Sequence, residues 1–189
     1  MKTVVKSFAR IADLVGRFWT DRRGVAAVEF VFVAPICIVM LGGLFEGSNL
    51  FEAARKTNAA AHTIGDLVAR TRSIDVSGLE DVFAVTNAIM MPFDTEAVTY
   101  SVTAVSIDEN GKGTVVWSRR KDGPGLAKNS PYAVSPDLVA GGNNFLVFVD
   151  VTFDYVSPLT AALIVKEIDI DRTFVMVPRV STTIPCSDC

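Results

Sequence analysis

Hydrophobic and polar positions divide the chain into three regimes. From Phe30 to Phe45 no residue is charged, and Val25 to Val28 extend the apolar run on the other side of Glu29. Together they make about 20 residues, roughly 30 Å of helix, enough to cross a hydrocarbon core. Beyond the run, Leu50, Ala54, Ala61, Ile64 and Val68 recur at helical spacing, so the same helix is expected to continue to about Arg70. Ser77-Gly78-Leu79-Glu80 has the form of a capping box and predicts a second helix through about Met90, ended by Pro92. From Ala97 the period changes to two, with Val98, Tyr100, Val102, Ala104 and Ser106 on one side. Asn110-Gly111 then marks a hairpin into "TVVWSRR". Residues 124–144 are rich in Gly, Pro, Ser and Asn and predict a loop. "FLVFVDVTFDYV" and "IDIDRTFVMV" predict two more strands, with a short helix over 158–165 between them. The expected fold class is α+β: a long N-terminal transmembrane helix leads into a domain whose antiparallel sheet, of about four strands, packs on the helix.

The apolar run has two other readings. A buried core helix would need a larger chain around it than 189 residues provide. A cleaved secretory signal needs a small-x-small site, and none closes the run before Gly42–Gly43. Charge supports the membrane reading. Lys2, Lys6, Arg10, Arg17, Arg22 and Arg23 stand against Asp13 and Asp21 in residues 1–24, a net of +4. The whole chain carries −3, which leaves −7 for the remainder. Basic residues before the span and Glu46 and Glu52 after it place the N-terminus in the cytoplasm and the body outside. An acidic body repels phosphates, so no nucleic acid is expected as a partner. Val4, Phe8, Ile11, Val15 and Phe18 give the leader the pattern of a basic amphipathic helix on the inner membrane surface. Pro35, in the first turns of the span, lacks one ladder donor and is tolerated there. Gly43 and Gly47 form a small-xxx-small pair of the kind that lets another helix approach.

Glu29 is the anomaly. A charge in a span costs about 2.5–3.5 kcal/mol at its centre and less near an end, so a lone glutamate calls for a reason. Its setting is specific: a basic pair, Gly24, four apolar residues, Glu29, Phe30, then the long run. "RRGVAAVEFVFVAP" resembles the N-terminus of the TadE/TadG-like pseudopilins of tight-adherence (Flp-type) pilus systems. Gly24, Ala26, Ala27, Val28, Glu29, Phe30, Ala34 and Pro35 stand at the matching places. The resemblance extends to Gly42, Gly43 and Glu46, and faintly to "RTFVMVPR" near the C-terminus, while residues 71–171 carry no matching motif.

The resemblance implies processing by a prepilin peptidase on the cytoplasmic face, between Gly24 and Val25. The new amine on Val25 would lie one helical turn from Glu29. Glu29 of one subunit can then pair with the amine of another, so that its charge is compensated in the assembly. It also implies other pilus-assembly proteins and pilins as partners, and a single-pass location in a bacterial inner membrane with a periplasmic body that could reach the surface in the pilus. The expected organisation is a leader at 1–24, a span at 25–47, an exported helical segment at 48–92 and a β domain at 93–189. The expected function is that of a minor pilin-like structural or assembly component. The alternative is an uncleaved single-span periplasmic binding or sensor protein, which leaves the Gly24–Glu29 spacing to chance.

The remaining polar features suggest no enzyme and no cofactor. Asp108, Asn110 and Lys112 mimic the start of a calcium loop, but Lys112 stands where an oxygen is needed. His62 and Asp66 lie one turn apart without a nucleophile, as a solvated helix pair would. Arg119, Arg120 and Lys121 flank the hairpin and offer at most a patch for polyanions. There is no glycine-rich phosphate loop. Cys186 and Cys189 form a lone CxxC, short of the four ligands of a structural zinc site, so no metal is expected. In an oxidising compartment they are expected to bridge, tying down the tail, while Cys37 in the span stays reduced.

Overall fold

The computed structural model describes residues 23–157 and 168–189. The expected leader helix and the expected short helix over 158–165 fall outside or almost wholly outside them. Helix α1 runs without a break over Arg23–Ala69, straight through Pro35. The chain divides into two compact units at Phe45/Glu46. In the first, the described part is the apolar stretch of α1, whose large side chains lie open, Phe30 at 70% and Val39 at 74% exposure.

The second unit begins at Glu46 with the rest of α1. Thr71 ends that helix, donating through both its N–H and its hydroxyl to the Val68 carbonyl at 3.0 and 2.8 Å. Helix α2 follows at Val76–Met90. Its cap differs from the expected Ser77. Asp75 is the N-cap, and its Oδ1 accepts from the Gly78 N–H at 2.7 Å and from the Ser77 hydroxyl at 3.1 Å. Aspartate is as good a cap as serine, and the same oxygen also accepts from Ser77, which becomes a supporting donor. The acceptor bonds, first that from Gly78 and then that from Ser77, hold the Asp75 carboxyl below the usual carboxylate range.

A depressed folded pKa means that this cap stabilises fully above the unfolded carboxylate value, and that the contribution fades as the pH falls below about 4. Asp75→Asn keeps an acceptor but removes the titration. It is therefore expected to unfold like the parent at neutral pH and to lose less stability in acid. Thermal unfolding of the full chain in mild detergent, followed by tryptophan fluorescence, would show this. Parallel acid limbs for the two proteins would refute it.

The sheet contains the four expected long strands and two short ones. They are β1 (Val98–Ile107), β2 (Gly113–Arg120), β3 (Gly123–Pro124), β4 (Pro131–Tyr132), β5 (Phe145–Tyr155) and β6 (Ile168–Met176). The order is β3-β2-β1-β5-β6, with β4 beside one end of β2, and all pairs are antiparallel. Asn110-Gly111 turns the β1–β2 hairpin as expected, with Gly111 at φ 78° in the left-handed region that glycine enters freely. The expected 124–144 loop contains β4 and a five-residue helix α3 (Pro136–Ala140).

One face of the sheet carries Val98, Tyr100, Val102, Val149, Val151 and Phe153, packed with Ala53, Ala60, Ala61, Ile64 and Val68 of α1 and with Leu79 and Phe83 of α2. Small residues on α1 bring its backbone close to the sheet, and each fully buried large side chain contributes about 1.5–3 kcal/mol. Burial also raises the Tyr100 phenol to about 12. Its hydroxyl donates to Asn87 Oδ1 at 3.1 Å, and its ring stacks on Phe83 at 5.6 Å. On the opposite face, Val105, Ile107, Leu146 and Phe148 lie under Tyr132, Val134, Leu138 and Val139. That face also carries polar pairs. Thr173 donates to Asp150 at 2.6 Å and Thr152 to Asp171 at 2.7 Å.

Candidate functional site

Gly24, Val25, Glu29 and Phe30 fall within the first turns of α1. Val25 and Glu29 are four residues apart, so they share a face and lie about 6 Å apart along the axis. Val25 is 54% exposed, and a Cβ built on Gly24 meets nothing within 4 Å. Glu29 is exposed too, and among the described residues it has no ion-pair or hydrogen-bond partner. Helical propensity is sufficient to place these four residues together, since no contact with another element is needed. α1 is long and apolar enough to cross a membrane.

The C-terminal tail is the second candidate. Cys186 and Cys189 are joined as a disulfide. Ile184 is fully buried, and Trp117 Nε1 donates to its carbonyl at 2.7 Å. The Ile74 N–H donates to the Pro185 carbonyl at 3.0 Å, and Asp188 Oδ1 accepts from the Val76 N–H at 2.9 Å. These hydrogen bonds hold the tail as well as the bridge does. Asp188 thereby adds a second acceptor at the start of α2, a role no local pattern signals. Ligand atoms of Cys186, Asp188 and Cys189 lie within 4.8 Å of one another, but the paired sulfurs have no thiolate to offer a metal. Cys37 is free and exposed.

In membranes from cells with working disulfide chemistry, one thiol, Cys37, is expected to react with maleimide in detergent before reduction, and three after it. Reduction should shift unfolding little, because so short a loop constrains the unfolded chain by less than the ~3 kcal/mol of a 15-residue one. Three thiols labelling without reductant would refute the bridge.

The other sequence candidates are occupied with structural contacts. Asp108 Oδ1 accepts from the amides of Asn110 and Lys112 at 2.9 and 2.8 Å, which closes the hairpin turn. His62 and Asp66 do not form a pair. The His62 ring meets Phe174 at 4.8 Å, whereas Asp66 binds Arg70 at 2.8 Å and Arg179 at 3.0 Å. Arg179 arrives from the far end of the sequence, and a charged guanidinium is the better partner for a carboxylate. Of the basic triplet, Arg119 reaches Glu80 at 3.4 Å, and Lys121 donates to the carbonyls of Thr95 and Val98 at 2.6 and 3.2 Å. Arg120, the third member, is exposed.

A family model described as TadE-like protein matches residues 24–65, the stretch that begins at Gly24 and runs along α1. No curated protein and no solved structure matches the chain.

Proposed function

We propose that this chain, TadE-like over residues 24–65, is a minor pilin-like component of a tight-adherence pilus apparatus, cut after Gly24 and anchored by the apolar part of α1. The TadE-like match supports a pilus-associated role. The observation that carries the finer reading is the placing of Gly24, Val25 and Glu29 on the first turns of a helix whose following stretch, Phe30 to Phe45, is uncharged and open.

The mechanism follows from the charges. Six basic residues hold the leader at the cytoplasmic surface, where a prepilin peptidase works, and the domain beyond Glu46 is carried to the other side. Cleavage frees a cationic amine on Val25. In lipid, that amine and Glu29 are each costly alone, and bringing them together between subunits compensates both. Assembly is thus favoured over the dispersed protein, with the other pilus proteins and pilins as partners. Phe30, beside Glu29 and 70% exposed, adds apolar area for the neighbouring helix.

Deletion of the gene should abolish or sharply reduce surface pili and adherence, and the wild-type chain should restore them. The purified chain should also bring other pilus components with it. Full piliation in the deletion strain would favour the uncleaved binding or sensor protein instead.

A further inference from the structure

The outward face of α1 just beyond the apolar run carries an aromatic–cation pair. Phe51 is 66% exposed, and the guanidinium carbon of Arg55, one helical turn later, lies 6.0 Å from the centre of its ring. Side chains on a helix lean towards its N-terminus, and Arg55 accordingly carries its charge back to the level of Phe51. The two residues border an open cavity of about 440 Å³, lined among others by Ser48, Glu52 and Lys56. Lys56 is engaged with protein groups. It meets Glu52 at 3.9 Å and donates to the carbonyls of Ile89 and Met91 at 2.9 and 2.5 Å. Arg55 is therefore the exposed cation that this lining presents, while Glu52 is already matched. Glu46 stands nine residues before Arg55, which puts it half a turn round the helix, on the opposite face.

The position along α1 says what meets this face. The helix continues unbroken from the apolar run, and at helical rise the Phe51 backbone lies about 9 Å past Phe45. A head-group layer extends roughly 5–7 Å beyond the hydrocarbon on each side, so the backward-leaning ring and guanidinium reach into it. In that layer an aromatic ring finds apolar surroundings on one side and water on the other. An arginine there lays its stem along apolar surface and keeps its charged head among the lipid phosphates. Its planar fork of N–H donors matches phosphate oxygens, and the exposed Ser48 hydroxyl, one turn nearer the run, is a further donor. We propose that Arg55 and Ser48 bind the phosphate of an anionic phospholipid where the span emerges from the membrane, with Phe51 holding the guanidinium in place. The inference rests on the membrane span proposed above.

The test places the full chain, with para-fluorophenylalanine at residue 51, in mixed vesicles of phosphatidylcholine and phosphatidylglycerol. One lipid or the other carries a spin label near the head of its acyl chain, and the relaxation of the fluorine is measured. Labelled phosphatidylglycerol is expected to relax it about fivefold more than labelled phosphatidylcholine, the preference that one exposed ion pair supplies. Arg55→Gln should bring that ratio to about one. The side chain is exposed, so the fold should stay in place, and an unchanged thermal unfolding curve checks that it does. Equal relaxation by the two lipids in the parent, or a ratio that Arg55→Gln leaves unchanged, overturns the proposal. So does a fluorine that neither lipid relaxes, since the face is then covered by protein or stands clear of the membrane. Inorganic phosphate added at constant ionic strength should not alter the ratio, and its loss would assign the site to free phosphate instead. Alkaline extraction of membranes tests the span separately. A chain released by alkali defeats the span reading, whereas an alkali-resistant chain without the anionic preference defeats only this inference.

Discussion

Co-expression with the cognate prepilin peptidase is expected to shorten the chain to a form beginning Val-Ala-Ala-Val, and Gly24→Val is expected to abolish that product. The effect should be close to all-or-none, because a branched side chain at the scissile residue crowds the peptide the enzyme must reach. The structure makes this a clean test. A Cβ at residue 24 meets nothing within 4 Å, so the substitution leaves the described fold undisturbed. Failure to cleave then reports on recognition. N-terminal sequencing of parent and variant from the native membrane decides the matter. A parent that keeps Met1 with the peptidase present defeats the pilin-like reading.

Replacing Glu29 with leucine should separate insertion from assembly. Insertion should improve, since the change removes a cost of up to about 3 kcal/mol in lipid. No intramolecular contact is lost, because Glu29 has no partner among the described residues. Cleavage after Gly24 should persist. What should fall is incorporation into the pilus apparatus, since the Val25 amine then has no carboxylate to meet in the neighbouring subunit. Co-purification with other pilus components and surface adherence would each report the loss. A variant that assembles and adheres like the parent shows that Glu29 merely reaches to the membrane surface.

The N-terminal half of this protein is readable locally because its structure is local. An apolar run, a stripe at helical spacing and a Gly24–Glu29 interval specify α1 and its charged end without reference to any other element. The strands were readable for the same reason: alternation along Val98–Ile107 and the Asn110-Gly111 turn need only near neighbours. The misread cap shows how narrow the margin is. Asp75 and Ser77 both suit an N-terminus, and the choice fell to Asp75, whose carboxylate collects two donors. Sequence by itself therefore determined the α+β class, the long apolar helix and the residues of the proposed processing site.

The tertiary structure decided whatever depends on chain segments far apart. Asp66 pairs with Arg179, the Trp117 indole finds the Ile184 carbonyl, and Asp188 reaches the start of α2. Hydrophobic periodicity says which face of an element is buried but not which distant backbone group will face it.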